Sequence, residues 1–198
     1  MSARLSLALV ALALGAGTLQ AQTPRFGATL GAALPMGDLK DFNNNAAPVL
    51  GGFVELEVAK GHILRPRVEL AGTFEKKETV YWLSSTNTVA SAEIKRTAPW
   101  VGAGVDYLWK LDNLTPGLQL TAGVGVRSMS AKATWNGFET KESSTSATAR
   151  LGVGYAITPH WGVEASYEAA KFKQNVPNQV FSSDPSAPIA QLKVGYTF

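Results

Sequence analysis

Counting back from Phe198, every second position is apolar: Tyr196, Val194, Leu192 and Ala190 alternate with Thr197, Gly195, Lys193 and Gln191. A period of two sends successive side chains to opposite faces, so this segment is a strand with one apolar and one polar face. The same alternation recurs upstream. Phe26, Ala28, Leu30, Ala32 and Leu34 form one row; Leu50, Gly52, Val54, Leu56 and Val58 form the next. Leu64 to Phe74, Val101 to Trp109, Leu118 to Val126, Ala147 to Ile157 and Trp161 to Ala169 supply five more. Each row is close to the ~10 residues that a tilted strand needs to cross a bilayer. With the C-terminal row they make eight, an even number that leaves both chain ends on one side. The pattern predicts an all-β fold: an antiparallel, up-and-down β-barrel of about eight strands.

The intervening positions carry what lipid would reject: Glu55, Glu57, Arg65, Arg67, Glu69, Asp106, Arg127, Arg150, Glu164, Glu168 and Lys193. In a soluble sandwich these residues point to water. In a transmembrane barrel they point into the lumen, and the apolar rows face lipid. Periodicity is the same in both cases. The connections discriminate better. Residues 59–61, 110–117 and 158–160 are short, whereas 75–92 and 171–187 are long and polar, as at the two ends of an outer-membrane barrel. Phe26, Trp109, Trp161 and Phe198 all fall at the short-turn end, where an aromatic girdle is expected.

The N-terminus agrees. Arg4 precedes an apolar run, residues 5–17, that is long enough for a signal-peptide core and too short for a membrane span. Leu19-Gln20-Ala21 places cleavage near Ala21, so residues 1–21 are expected to be a signal peptide and residues 22–198 the barrel domain. Removing Arg4 lowers a formal net charge of only +3, which gives no argument for nucleic acid. The chain has no Cys, hence no disulfide framework and no thiolate metal site. Beyond the signal no apolar run is long enough for a helical span. A mature chain that enters lipid must therefore do so as a closed sheet.

Three segments share an alternating glycine pattern: Val101-Gly102-Ala103-Gly104-Val105, Ala122-Gly123-Val124-Gly125-Val126 and Leu151-Gly152-Val153-Gly154-Tyr155. None has the third glycine and following helix of a dinucleotide-binding loop. All these glycines lie on the charged face, where they make room for long side chains in a barrel just wide enough to be filled. Hairpins turning at Lys60 and Pro159 set Glu55 opposite Arg65, Arg150 opposite Glu168 and Gly154 opposite Glu164. Such charges either plug the lumen with ion pairs or line a gated polar pathway.

The signal segment, the eight rows and the C-terminal strand ending in Phe198 resemble the small outer-membrane β-barrel superfamily that includes OmpX and the OmpA membrane domain. The resemblance covers the mature chain and brings no catalytic motif. It implies that Tyr196 and Phe198 form a C-terminal assembly signal read by the barrel-assembly machinery. It further implies an outer-membrane location, contact with lipid including lipopolysaccharide, and a monomer.

The leading expectation is a structural, adhesion or interaction role for a barrel with a plugged lumen and surface loops, possessing no catalytic, cofactor or metal site. Alternatives are a narrow solute channel, a lipid A-modifying enzyme and a soluble lipocalin-like ligand binder. The only histidines, His62 and His160, sit at short turns without metal-ligand or nucleophile–base spacing, and are expected to face solvent. Lys76, Lys77, Tyr81 and Trp82 in one long loop, and Lys171, Lys173, Phe181 and Asp184 in the other, are candidate surface contacts. Residues 43–48 read as loop punctuation.

Overall fold

The structure, a computed structural model, describes residues 23–83, 89–135, 137–171 and 186–198. The expected signal segment lies outside them, as do Lys173, Phe181 and Asp184. The chain forms β1 (Arg25–Pro35), a short helix α1 (Asp38–Phe42), β2 (Ala47–Ala59), β3 (His62–Ala71), β4 (Lys76–Leu83) and β5 (Val89–Thr97). It continues with β6 (Trp100–Lys110), β7 (Leu118–Trp135), β8 (Phe138–Ala156), β9 (Trp161–Ala170) and β10 (Ile189–Thr197). Eight strands close into an antiparallel barrel in the order β1-β2-β3-β6-β7-β8-β9-β10. The seam is β1 against β10, in register from Gly27 opposite Thr197 to Pro35 opposite Ile189.

The eight expected rows are all present as barrel strands, but two features exceed the expectation. The first long connection is not a loop. It folds into the β4–β5 hairpin, and β5 then pairs with the outer part of β7, from Ile94 opposite Trp135 to Thr97 opposite Lys132. β7 and β8 also run on for 18 and 19 residues, far past the rows that end at Val126 and begin at Ala147. Their outer parts carry Ser, Thr, Lys and Glu on either face. Beyond the membrane both faces meet water, so the apolar row that marks a strand in sequence disappears while backbone pairing continues.

The apolar rows face outward. Leu30, Leu50, Val68, Leu70, Val124, Leu151 and Leu192 are all exposed, spread around the barrel on six strands. An apolar belt of this extent is unsuited to water and fits a bilayer. No helix among the described residues is long and apolar enough to span a membrane, so the crossing is by strands.

The lumen is layered. Inward positions of β3 read Ile63, Arg65, Arg67, Glu69, Ala71 from the short-turn end, and those of β6 in the same direction run from Leu108 and Asp106 to Trp100. At the far end Ala33, Ala47, Val49, Ala71, Ala98, Trp100, Met129 and Ile189 pack together, with Leu39 and Phe42 of α1 against them. At the short-turn end Ile63 and Leu108 are cross-strand partners, both buried. Phe53 reaches across there so closely that a Cβ on Gly27 would collide with its ring. The fully buried charges therefore lie between these apolar residues.

Depth on the outer face should decide the cost of a new charge. Leu151, 68% exposed, lies mid-strand, and Thr145 lies on the same face of β8 six residues further from the short-turn end. Leu151→Arg should lose about 2–4 kcal/mol of stability and Thr145→Arg about 0–1 kcal/mol. Urea unfolding of the refolded barrel in detergent measures both. Equal losses would contradict the orientation of this face.

Candidate functional site: the charged lumen and the outer sheet

Nine charged residues are buried together inside the barrel. Arg65, Arg67 and Glu69 come from β3, Asp106 from β6, Arg127 from β7, Arg150 from β8, Glu164 and Glu168 from β9, and Lys193 from β10. All are buried. Strand alternation aims each inward, and barrel closure brings together residues up to 124 positions apart in the chain.

Glu69 is the hub. Its carboxylate accepts from Arg150 Nη1 at 2.9 Å and Nη2 at 2.5 Å, from Arg67 Nη1 at 3.1 Å and from Lys193 Nζ at 2.8 Å. The first two contacts form a fork, the geometry in which guanidinium and carboxylate bind most strongly. Asp106 accepts from Arg67 Nε at 2.9 Å and from Arg65 Nη2 at 3.1 Å, and Arg65 also binds Glu164. Glu168 Oε2 accepts from Arg67 at 3.1 Å and from Arg150 Nη2 at 2.9 Å. Lys193 lies 3.4 Å from Glu164. A buried charge is tolerated when paired and hydrogen-bonded, and this network supplies both conditions.

Glycines let the network fit. Gly104 and Gly125 are directly opposite on β6 and β7, and a Cβ on Gly104 would come within 2.6 Å of the Val124 carbonyl and 3.2 Å of Arg67 Nη2. At Gly123 a Cβ would strike the Asp106 carboxylate.

Arg150 does stand opposite Glu168, and Gly154 opposite Glu164. Glu55 faces Arg65 as well, between the Phe53–Arg67 and Leu56–Leu64 pairs, but its carboxylate stays outside the lumen cluster and forms an ion pair at 2.6 Å with Arg25, its direct partner on β1 at the barrel end. Arg65 instead reaches inward to Asp106 and Glu164, with its guanidinium over the Phe53 ring. Glu57, the next inward acid, accepts from the Gly61 amide in the turn.

His160 is exposed and His62 half-buried at the short turns, as expected, and both also join the aromatic row. His62 Nδ1 shares a 2.5 Å hydrogen bond with the Tyr107 hydroxyl, and its ring stacks near Trp109. His160 donates from Nδ1 to the Thr197 carbonyl at 2.8 Å and stacks on Tyr196. Tyr196 contacts both Trp161 and Phe198 edge-on, with centroids 4.8 and 5.2 Å apart. The Phe198 amide donates to the Phe26 carbonyl across the seam.

At the opposite end, β4, β5 and the outer parts of β7 and β8 form a four-stranded sheet. Tyr81, Val89, Trp135 and Phe138 are exposed on it. Its charges pair locally: Lys132 with Glu139 at 2.8 Å, Arg96 with Glu78 at 3.2 Å and Lys77 with Glu75 at 3.7 Å. Lys76 donates to the Asp41 carbonyl. Asn43, expected as loop punctuation, is buried and donates to the carbonyls of Phe74 and Arg96, tying the α1 turn to the hairpin. Nothing in the asparagine run marks Asn43 over its neighbours, because its partners lie 31 and 53 residues away.

This geometry is that of a membrane β-barrel, and comparison with known proteins agrees. Residues 6–198 match the family model described as the outer membrane protein beta-barrel domain. The chain belongs to that family. No curated protein matches its sequence. Among solved structures it is similar to Ail, the attachment invasion locus protein of Yersinia pestis, with a TM-score of 0.57 and 13% identity over 88% of this chain and 97% of that one. Ail has also been solved with the heparin analogue sucrose octasulfate. Neisserial surface protein A matches with a TM-score of 0.52 and 13% identity over 90% of this chain and 99% of that one. The N-terminal barrel of Pseudomonas aeruginosa OprF matches with the same score and identity, over 90% and 100%.

Removing one member of the Glu69–Arg150 fork should strand the other in the lumen. Glu69→Ala and Arg150→Ala should each cost about 3–5 kcal/mol. The double variant should cost less than their sum, with a coupling energy of about 1–3 kcal/mol. Urea unfolding in detergent closes this double-mutant cycle, and a coupling within error of zero would show that water screens the pair.

Proposed function

We propose that this protein is a non-conducting outer-membrane barrel with a structural and interaction role, whose working surface is the sheet that continues beyond the membrane. The observation that carries this reading is the layered lumen. An ion-paired middle fills the barrel, capped at the far end by the apolar cluster around Trp100 and Met129, with Phe53, Ile63 and Leu108 buried toward the short-turn end. The chain's own material above the bilayer is invested in paired strands with exposed Tyr81, Val89, Trp135 and Phe138. Residues 138–147 of β8 pair only with β7 among the described strands, leaving an accessible edge. Aromatic side chains and an open strand edge are both suited to partner contact. The likeness to Ail, which has been solved with a heparin analogue, is compatible with surface recognition but conveys fold alone.

A signal peptide cleaved near Ala21, recognition of Tyr196 and Phe198 by the barrel-assembly machinery, contact with lipopolysaccharide and a monomeric state complete the proposal. Lipid A chemistry has little support, because both histidines lie at the short-turn end and are engaged with aromatic or backbone partners. The narrow channel stays as the second reading on one observation: the side chains of Thr121, Ser146 and Gln191 have buried polar atoms without a partner.

Planar-bilayer recording separates the two. The purified barrel should give no steady single-channel openings, and reproducible openings would select the channel. Heat-modifiable migration in SDS and recovery with outer membrane are expected of the same sample.

Deleting Phe198 removes one amide contact and one edge of the aromatic cluster, a loss of at most a few kcal/mol. The deletion should sharply lower the amount reaching the outer membrane in cells while shifting the unfolding midpoint of refolded protein little. Normal insertion would remove the C-terminal assembly signal from the proposal.

A further inference from the structure

The fully buried charges in the middle of the barrel do not balance. Among the described residues Arg65, Arg67, Arg127, Arg150 and Lys193 are buried cations, and only Glu69, Asp106, Glu164 and Glu168 are buried carboxylates. Four of the cations bind carboxylates within hydrogen-bond distance. Arg127 does not. Its Nη2 donates to the neutral carbonyl of Ala187, and its Nη1 stands 3.7 Å from Glu168 Oε1. Arg67 and Arg150 both hold that carboxylate by its other oxygen, Oε2. Arg127 Nε and Nη1 have no hydrogen-bond partner, although the side chain is 0% exposed. The Trp100 ring, 5.7 Å away, offers only a partial counter-charge.

Directly across the strand pair stands Ser146, whose buried Oγ also lacks a partner. Two guanidinium donors and a hydroxyl donor thus lie unused together beneath the apolar cap. Arginine cannot escape by deprotonation. Water would satisfy the hydrogen bonds and leave the surplus charge.

We propose that the lumen binds a small, singly charged inorganic anion at Arg127 and Ser146. One charge suffices because the surplus is one. Met129, two residues further along β7 on the same face, belongs to the apolar cap with Trp100, so that side of the site is poor in donors. A halide that sheds its hydration easily fits such a place, which ranks bromide and chloride above fluoride. The site goes beyond the surface role, and the conductance experiment does not bear on it.

The test uses the full mature chain, refolded in detergent, with sodium held constant and bromide exchanged for gluconate. The unfolding midpoint should rise with the logarithm of bromide concentration above the dissociation constant, as for any ligand bound only by the folded state. Chloride should act similarly and fluoride weakly. Arg127→Gln should lose the dependence, and Ser146→Ala should weaken it. If Arg127→Gln does not fold, diffraction from wild-type crystals grown in bromide decides. An anomalous peak within hydrogen-bond distance of Arg127 and Ser146 supports the site. Midpoints identical in bromide and gluconate, or no anomalous peak there, would overturn it.

Discussion

The structure depends on closure of the sheet along β1 and β10. In hydrocarbon an unpaired backbone N–H or C=O has no water to turn to and costs several kcal/mol, so a sheet with free edges cannot stay there. Nine register pairs join residues 27–35 to 189–197, and the Phe198 amide extends the seam to Phe26. Only when the last strand is made does the first lose its edge. The C-terminal segment therefore matters to every other strand, although its backbone pairs with only two of them.

Closure also creates an interior, and eight strands leave one that side chains must fill. Once lipid claims the apolar rows, the polar residues have nowhere else to go. Arginine forks on shared carboxylates turn this constraint into a packed centre. Glu69 joins β3 to β8 and β10, and Asp106 joins β6 to β3. Strand glycines are spaced to admit these long chains, with Gly104 facing Gly125 where Arg67 crosses. Apolar layers above and below keep the network out of bulk water, which strengthens each pairing and makes an unpaired member such as Arg127 conspicuous.

Past the membrane the constraint relaxes. Backbone groups left unpaired there can hydrate, so edges are tolerated, and among the described strands β4 and the outer half of β8 have them. The chain nevertheless continues β7 and β8 and adds a hairpin beside them, held by Asn43 and local ion pairs. The hydrogen-bonded strands there carry the exposed aromatics on one sheet. This division between a filled barrel and an elaborated outer sheet is what places the proposed interaction role outside the membrane.

What the sequence determined by itself was local and periodic. Alternation assigned a face to each residue of the eight rows between Phe26 and Phe198, and with the turn lengths it gave the number of barrel strands, the barrel and an inward set of charges. Adjacent hairpin partners such as Arg150 and Glu168 were legible because a short turn fixes their register. Which partners finally meet was decided by the tertiary structure. The Glu69–Arg150 fork spans 81 residues, and Glu55 leaves its hairpin neighbour for Arg25, because strand order, stagger and side-chain reach act only once the cylinder closes. The β4–β5 hairpin and the outer reaches of β7 and β8 were hidden for a complementary reason. Period two shows in a sequence only where the two faces meet different solvents, and beyond the bilayer both meet water.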